Sequence, residues 1–313
     1  LFKNKLSKNT INIIKKVLLC FAVIGSLIIT YGPNFNPKIP NWNLVYETLG
    51  VASGQNLKTY SAPLVVSFID VGQGDSTYIK ARLTDGSFCN ILIDSGESGS
   101  ESKILPLLSA YGTDELVYVV GTHPHSDHVG AMPEILKGIK VKNYLYPFNT
   151  EVSSAITSEL NGANCINAKA GNSFIVSDNL RLEVLSPSKE YDNENDMSLV
   201  IKLTYGNTSF LFTGDAESAA EYSLMSGSYT GKWSIHSDVL KVGHHGSDSS
   251  SGEDFISSVS PSYAVISCGK NNDYGHPHAK TLGTLQSHGI KVLRTDELGT
   301  VVICSDGNTL FLP

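Results

Sequence analysis

The sequence predicts an α/β fold of two halves packed sheet against sheet, with helices on the outer faces. Three observations carry this. From Leu64 onward, short β-branched apolar runs stop at glycine, as buried strands do. Clusters of such strands followed by helical segments occur twice, without any short-period repeat. Hydrophobic residues make up 41% of the 313-residue chain and charged residues 17%, which suits a packed core and argues against global disorder.

In order, LVVSFIDVG from Leu64 reads as a buried strand, STYIKARL as an alternating second strand, and FCNILIDSG as a third. ESKILPLLSAYG has helical spacing and a glycine stop. ELVYVVGTH is another buried strand; VGAMPEILKGI then reads as a helix and VKNYLYPF as a strand. The second half repeats this grammar. Strands are expected at MSLVIKLTYG, TSFLFTGD, SDVLKVG and SYAVISCG, with helices at AESAAEYSLM and GEDFISSVS between them. AKTLGTLQSHG, IKVLRT and GTVVICSDG close the chain.

The region before Leu64 is different. LFKNKLSKNTINIIKK carries five lysines and no acid, and Val17 to Tyr31 is uncharged and mostly apolar. Its length lies between a signal-peptide core and a full membrane span. Lysines ahead of the run favour a cytoplasmic N-terminus and an exported remainder. With no clear small-x-small cleavage site, residues 1–32 are expected to be an uncleaved anchor in preference to a cleaved signal. Residues 33–62, rich in Pro, Asn, Gly and Ser, are expected to be a linker, and residues 63–313 the folded domain.

Lys+Arg number 23 against 30 Asp+Glu, a net charge of -7, which is not the footprint of a protein that grips nucleic acid over a broad basic face. The five cysteines form no CxxC pair, so no disulfide framework is expected. No protein partner is inferable.

The chemistry concentrates in THPHSDHVG, residues 122–130. His123 and His125 are two apart, so in extended chain both rings share a face and reach one ion. Asp127 and His128 follow as the chain turns into a helix near Val129, and they can face a second ion. Asp127 alone would also serve as a helix cap; three histidines with an aspartate at a strand exit exceed what capping requires. Further candidates stand at other strand ends. Asp215 follows FLFTG and is placed to bridge two metals. His244 and His245 follow VLKVG; one can ligate while the other orients a neighbour or meets substrate. Asp94 is a candidate acceptor for a ligand's imidazole N–H.

In that order, IDSG, THPHSDH, TGD and HHGS resemble the metallo-β-lactamase superfamily. FIDVGQGDSTYI, ENDMSLVIKL, LKVGHHGS and NNDYGHPH resemble, more narrowly, the ComEC-type competence metallo-hydrolase domain, over Leu64 to Pro313. The resemblance implies a four-layer αββα sandwich with a site for two divalent ions, zinc or manganese, at one sheet edge. It implies that His123, His125, Asp127, His128, Asp215 and a histidine of the 244/245 pair hold the metals. Asp127 would also orient the nucleophile, and His276 would serve the leaving oxygen, with His278 as second choice. Asp75 and Ser247 are carried over as substrate contacts. Where many superfamily members place a metal-binding histidine, this chain has Asn195, Asp196 and Ser198, so an oxygen ligand is expected there.

The implied activity is metal-assisted hydrolysis of a phosphodiester, with nucleic acid or another phosphodiester polymer as substrate. The expected protein is an extracytoplasmic hydrolase tethered to the membrane by its N-terminal segment. The membrane channel of full-length ComEC-type proteins is not carried over. Two alternatives are a cell-surface phosphocholine esterase-type phosphodiesterase and a non-catalytic module that binds DNA or wall polymer.

Overall fold

The computed structural model describes residues 24–26 and 58–313. The expected anchor and linker therefore fall largely outside the described residues, and among those described no helix is long and apolar enough to cross a membrane. The chain divides into two compact units, Leu1–Lys58 and Thr59–Pro313, and the second carries the fold.

Its strands are β1 (Leu64–Phe68), β2 (Thr77–Arg82), β3 (Phe88–Ile93), β4 (Glu115–Val120), β5 (Lys140–Pro147), β6 (Asn164–Ala168), β7 (Ser173–Ser177) and β8 (Leu180–Ser186). There follow β9 (Val200–Tyr205), β10 (Thr208–Phe212), β11 (Val239–Lys241), β12 (Tyr263–Ile266), β13 (Lys291–Arg294), β14 (Val301–Ser305) and β15 (Leu310–Phe311). They form two sheets. The eight-stranded sheet runs β15-β14-β1-β2-β3-β4-β5-β6, and the seven-stranded sheet runs β13-β12-β11-β10-β9-β8-β7. β3 to β6 are parallel, as are β10 to β13, so their carboxyl ends share an edge within each sheet.

Period-two burial explains the packing. Leu64, Val66 and Phe68 of β1, with Ile79, Ile91 and Ile93, meet Leu182, Val184, Ile201, Leu203 and Phe212 of the other sheet. The rings of Phe68 and Phe212 lie 6.1 Å apart at this seam. The alternate residues Val200, Leu211, Leu240, Ala264 and Ile266 face outward. There they pack with Ala220, Leu224, Phe255, Ile256 and Leu285 from the helices Ser218–Tyr229, Glu253–Val259 and Ala279–Ser287. Helices Glu101–Ala110 and Met132–Gly138 accompany the first sheet and bury Ile104, Leu108, Met132 and Ile135.

Two features depart from the sequence reading. Between residues 150 and 196 lie β6, β7 and β8, which the apolar pattern does not announce. β6 and β7 are short edge strands whose large inward residues, Ile166 of β6 and Phe174 and Val176 of β7, are only half-buried, so their apolar signal is weak. The last long strand, β14, returns to the first sheet and pairs antiparallel with β1, Val65 opposite Cys304. Such a return is a long-range choice that local periodicity does not encode. The four described cysteines are free thiols.

A buried carboxyl braces the second half. Glu221, on the helix Ser218–Tyr229, accepts the backbone N–H groups of Ser251 and, at 3.1 Å, Gly252, at the start of helix Glu253–Val259. Burial outweighs these donors and pushes its pKa up to about 7. A carboxyl with a raised folded pKa binds its proton in the fold before the unfolded chain does. Stability therefore falls as pH rises from about 4.5 to about 7, by roughly 3 kcal/mol over the window. Glu221→Gln is expected to flatten that slope. Urea unfolding at several pH values checks it, and parallel slopes in both proteins would refute it.

Candidate metal centre

Strand ends build the site, as the open edge of an α/β sheet does. β3 delivers Asp94, β4 the loop 122–128, β10 Asp215, and β11 the pair His244 and His245. Asp94 sits in the left-handed region at φ 57°, which turns its carboxylate back into the protein. It accepts the Thr122 N–H (2.8 Å), the Thr122 hydroxyl (2.7 Å) and His128 Nδ1–H (2.8 Å). With Nδ1 so engaged, it is Nε2 of His128 that faces the site, 3.1 Å from Asp215 Oδ1. Asp94 thus fixes the imidazole ring of His128, a residue of the candidate cluster.

His244 and His245 are consecutive left-handed residues, φ 44° and 52°, so their rings diverge. His245 is buried. Its Nδ1–H donates to the Ser267 carbonyl at 3.0 Å, and its Nε2 lies 3.1 Å from Asp127 Oδ2 and 3.6 Å from Asp215 Oδ2. His244 is half-buried; its Nδ1–H donates to Glu217 Oε1 at 2.9 Å, and its Nε2 lies 3.7 Å from Asp215 Oδ2. Asp215 is therefore ringed by imidazole nitrogens, with His123 Nε2 at 3.8 Å as the fourth. Burial works to raise the Asp215 pKa, but the charges of His128 and His245 outweigh it and hold the carboxyl well below the usual range. Asp127 is likewise held low against its burial by His245 and His128.

One atom each from Asp75, His128, Asp215 and His245 falls within 4.8 Å of the others, a candidate metal cluster of two oxygens and two nitrogens. The fit to a cation is supported by buried polar atoms that face one another without well-aligned hydrogen bonds: His128 Nε2 against Asp215 Oδ1 at 3.1 Å, and Asp75 Oδ1 against His245 Nδ1 at 3.3 Å. Gathered at one point in space, such atoms suit a cation's shell.

Several expected residues sit differently. Asp127 is not the cap of the helix Ser126–Val129; it lies in the first turn, and its carboxylate reaches His245. His123 and His125 do converge, Nε2 to Nδ1 at 3.1 Å, but His125 is more exposed and also meets Glu194 Oε2 at 3.1 Å. Asp196 is turned away from the metal cluster. Its Oδ1 accepts the N–H groups of Glu217 and Ala220, both at 3.0 Å, and so caps the helix Ser218–Tyr229. Asn195 donates to Glu217 Oε1 at 3.0 Å. Ser198 is the third-element residue nearest the cluster, its hydroxyl 3.1 Å from Asp215 N and 3.4 Å from His123 Nδ1.

Asp75 was expected to face substrate. It is buried instead, with Oδ2 2.6 Å from Lys241 Nζ and Oδ1 3.3 Å from His245 Nδ1. Gly74 makes this approach feasible, since at φ 132° a Cβ there would lie 2.3 Å from the Asp127 carbonyl. Ser247 is buried too and shares a hydrogen bond with Ser249 at 2.9 Å. His276 stands at the rim, its ring 5.5 Å from His244 and 6.1 Å from His245, with Nδ1 free of any partner. Partial burial and the neighbouring imidazoles hold its pKa down, to about 4. His278 lies one ring further out; its Nδ1 accepts the Asp248 N–H at 3.0 Å and its Nε2–H donates to the Tyr274 carbonyl at 3.2 Å.

Three participants were not foreseen: Glu194, Lys241 and Glu217. Glu217 is the most connected. Its carboxylate accepts from His244 Nδ1 (2.9 Å), Asn195 Nδ2 (3.0 Å), Asn193 Nδ2 (2.9 Å) and the Ser249 hydroxyl (3.1 Å). The glutamate in TGDAE, two residues after Asp215, was the available signal. Glu217→Ala frees the His244 ring and is expected to weaken divalent-ion affinity by about 10- to 100-fold. Titration calorimetry with manganese and zinc measures it; unchanged affinity for both would exclude the orienting role.

Comparison with known proteins agrees with the resemblance read from the motifs. Residues 69–157 match the metallo-beta-lactamase superfamily. The chain is 38% identical over 260 residues to ComE operon protein 3 of Bacillus subtilis, covering 75% of this chain and 32% of that protein. It is 33% identical over 238 residues to competence protein ComA of Neisseria gonorrhoeae, covering 75% and 31%. With recombination protein 2 of Haemophilus influenzae it shares 34% identity over 242 residues, covering 75% and 28%. The chain thus spans about a third of the length of these relatives. Among solved structures, CmlA, a diiron β-hydroxylase from Streptomyces venezuelae, shares the fold with a TM-score of 0.53 at 14% identity, over 76% of this chain and 53% of that one.

Proposed function

We propose, on the premise that the chain carries a metallo-β-lactamase domain akin to those of competence proteins, that it is a metal-dependent phosphodiesterase whose substrate is nucleic acid. The observation that carries the reading is Asp215, buried among the Nε2 atoms of four histidines with one carboxylate oxygen unpartnered. Asp75, His128, Asp215 and His245 would hold a divalent ion, and His123, His125, Asp127 and His244 stand around Asp215 as the donors that a second ion would use. Zinc and manganese both suit imidazole and carboxylate donors. When bound, such ions supply a water that loses its proton near neutral pH and stabilise charge on the reacting phosphorus.

The remaining work belongs to the chain. Asp94 and Ser267 hold His128 and His245 with their Nε2 lone pairs inward, so the centre is organised before substrate arrives. Asp127, on the open side of the cluster, accepts a hydrogen bond and thereby orients a nucleophile. His276, whose ring stands 5.5 Å from His244 and 6.1 Å from His245, is the imidazole placed to serve the leaving oxygen. The lysine-flanked apolar run from Val17 to Tyr31 supports an extracytoplasmic, membrane-tethered setting for this chemistry. Names of the relatives support DNA as the polymer.

The deciding experiment offers the purified protein, loaded with manganese or zinc, an activated phosphodiester, single- and double-stranded DNA, and a phosphocholine ester. DNA and activated-diester cleavage that stops with a chelator is expected. Turnover of the phosphocholine ester alone would overturn the substrate class, and cleavage that survives chelation would overturn the metal dependence.

A further inference from the structure

We propose that Tyr274 is a stacking platform for a nucleobase adjoining the scissile phosphate, so that the preferred strand is single-stranded and base-bearing; this rests on the phosphodiesterase reading above. Tyr274 is a large aromatic left 67% exposed. Its ring runs nearly parallel to that of His276, with centroids 5.7 Å apart and 18° between the planes, so it leans on His276 at one edge while most of its surface meets solvent.

The loop that carries the ring is held in place. Asn272 ties its backbone from both ends of the amide. Its Oδ1 accepts the N–H groups of Tyr274 (3.2 Å) and His276 (3.0 Å), while its Nδ2 donates to the carbonyls of Gly269 (2.9 Å) and His276 (2.6 Å). A loop ordered in this way presents the ring from a fixed main chain, so less freedom is lost when a base lands on it.

Its position also fits. From His245 in the metal cluster the rings step to His276 at 6.1 Å and from His276 to Tyr274 at 5.7 Å. A phosphate at the cluster and the base of an adjoining nucleotide span a comparable reach, which brings the base to the exposed ring of Tyr274. A duplex keeps its bases stacked on each other and offers none to this ring, which sets the preference for single strands. Stacking also answers the charge problem. A chain of net charge -7 lacks the broad basic face that phosphate-led binding uses, whereas base-aromatic stacking contributes about 1–3 kcal/mol per base without lysines.

The test compares a single-stranded oligonucleotide with an abasic strand of equal length, for the metal-loaded wild type, Tyr274→Ala and Tyr274→Phe. In the wild type the base-bearing strand is expected to have the lower KM. Tyr274→Ala should raise that KM about tenfold, collapse its advantage over the abasic strand, and leave Tyr274→Phe close to wild type. Quenching of a 2-aminopurine base next to the cleaved bond should follow the same order, a readout that does not depend on turnover. An unchanged ratio of the two KM values in Tyr274→Ala overturns the platform while leaving the phosphodiesterase reading intact. Failure of the wild type to cleave either strand overturns both.

Discussion

Asp215→Asn is expected to reduce phosphodiester turnover by more than the roughly 10- to 100-fold that loss of an outer partner costs, and to lower the divalent ion retained after dialysis. The substitution keeps the shape of the side chain and removes its charge. In the native chain that charge balances four imidazole groups, with His128 Nε2 at 3.1 Å and the others between 3.6 and 3.8 Å. An amide presents one oxygen instead of two equivalent ones, so it cannot bridge two cations as a carboxylate does. The apolar seam around Phe68 and Phe212 does not include Asp215, so the packing between the sheets is kept; a carboxylate held below its usual range also stabilises the fold, so part of the Tm is expected to go with it. Metal content by elemental analysis, turnover of an activated diester and a thermal melt separate the two effects. Turnover within tenfold of wild type, with metal retained, would remove Asp215 from the centre.

The same residue shows what a sequence discloses. A strand that ends in TGD announces a turn, and only its company with THPHSDH and HHGS suggests a ligand. Those loops were legible because each follows an apolar run that must be a buried strand, and parallel strands end on one edge. Asp94 was legible for the same reason. The third element was not. Asn195 and Asp196 look alike as oxygen donors on paper, yet Asp196 is taken by the N–H groups of Glu217 and Ala220, so the helix start claims it first. A one-dimensional pattern does not state which of two needs, cap or ligand, a carboxylate meets. Glu217 and Lys241 were hard to read because the side chains they pair with lie 22 or more residues away, across loops whose paths local periodicity leaves open. The edge strands β6 and β7 were missed because their large inward residues are only half-buried, and β14 could be read as a strand without its sheet being known.

Lys241→Met is expected to be the most damaging single change to stability outside the hydrophobic core. Lys241 ends β11 in the middle of the second sheet, between Phe212 of β10 and Val265 of β12. Its ammonium is almost fully buried, 2.6 Å from Asp75 Oδ2, and also donates to the Val242 carbonyl at 2.8 Å. Asp75 comes from the loop between β1 and β2, so this pair ties the first sheet's loop to the second sheet beneath the metal cluster. Two buried charges so matched need not stabilise the protein relative to an apolar pair, but removing one strands the other, at about 3–5 kcal/mol. For a domain of this size that amounts to a fall in Tm on the order of 10 °C. The pH dependence follows from Asp75. Burial acts to raise its pKa, yet Lys241 and His245 outweigh burial and lower it below the ordinary 3.8. A depressed carboxyl contributes stability above its unfolded pKa and loses it as pH falls through the folded one. The deficit of Lys241→Met is thus expected to be full at neutral pH and to shrink as pH drops below about 4. The double substitution Asp75→Asn with Lys241→Met removes both charges and should recover most of the lost Tm, without restoring the carboxylate that His245 Nδ1 faces. Melts of the single and double variants across pH provide the measurement. A Tm for Lys241→Met within 2 °C or so of wild type at neutral pH would mean that the buried pair is not what holds the loop to the sheet.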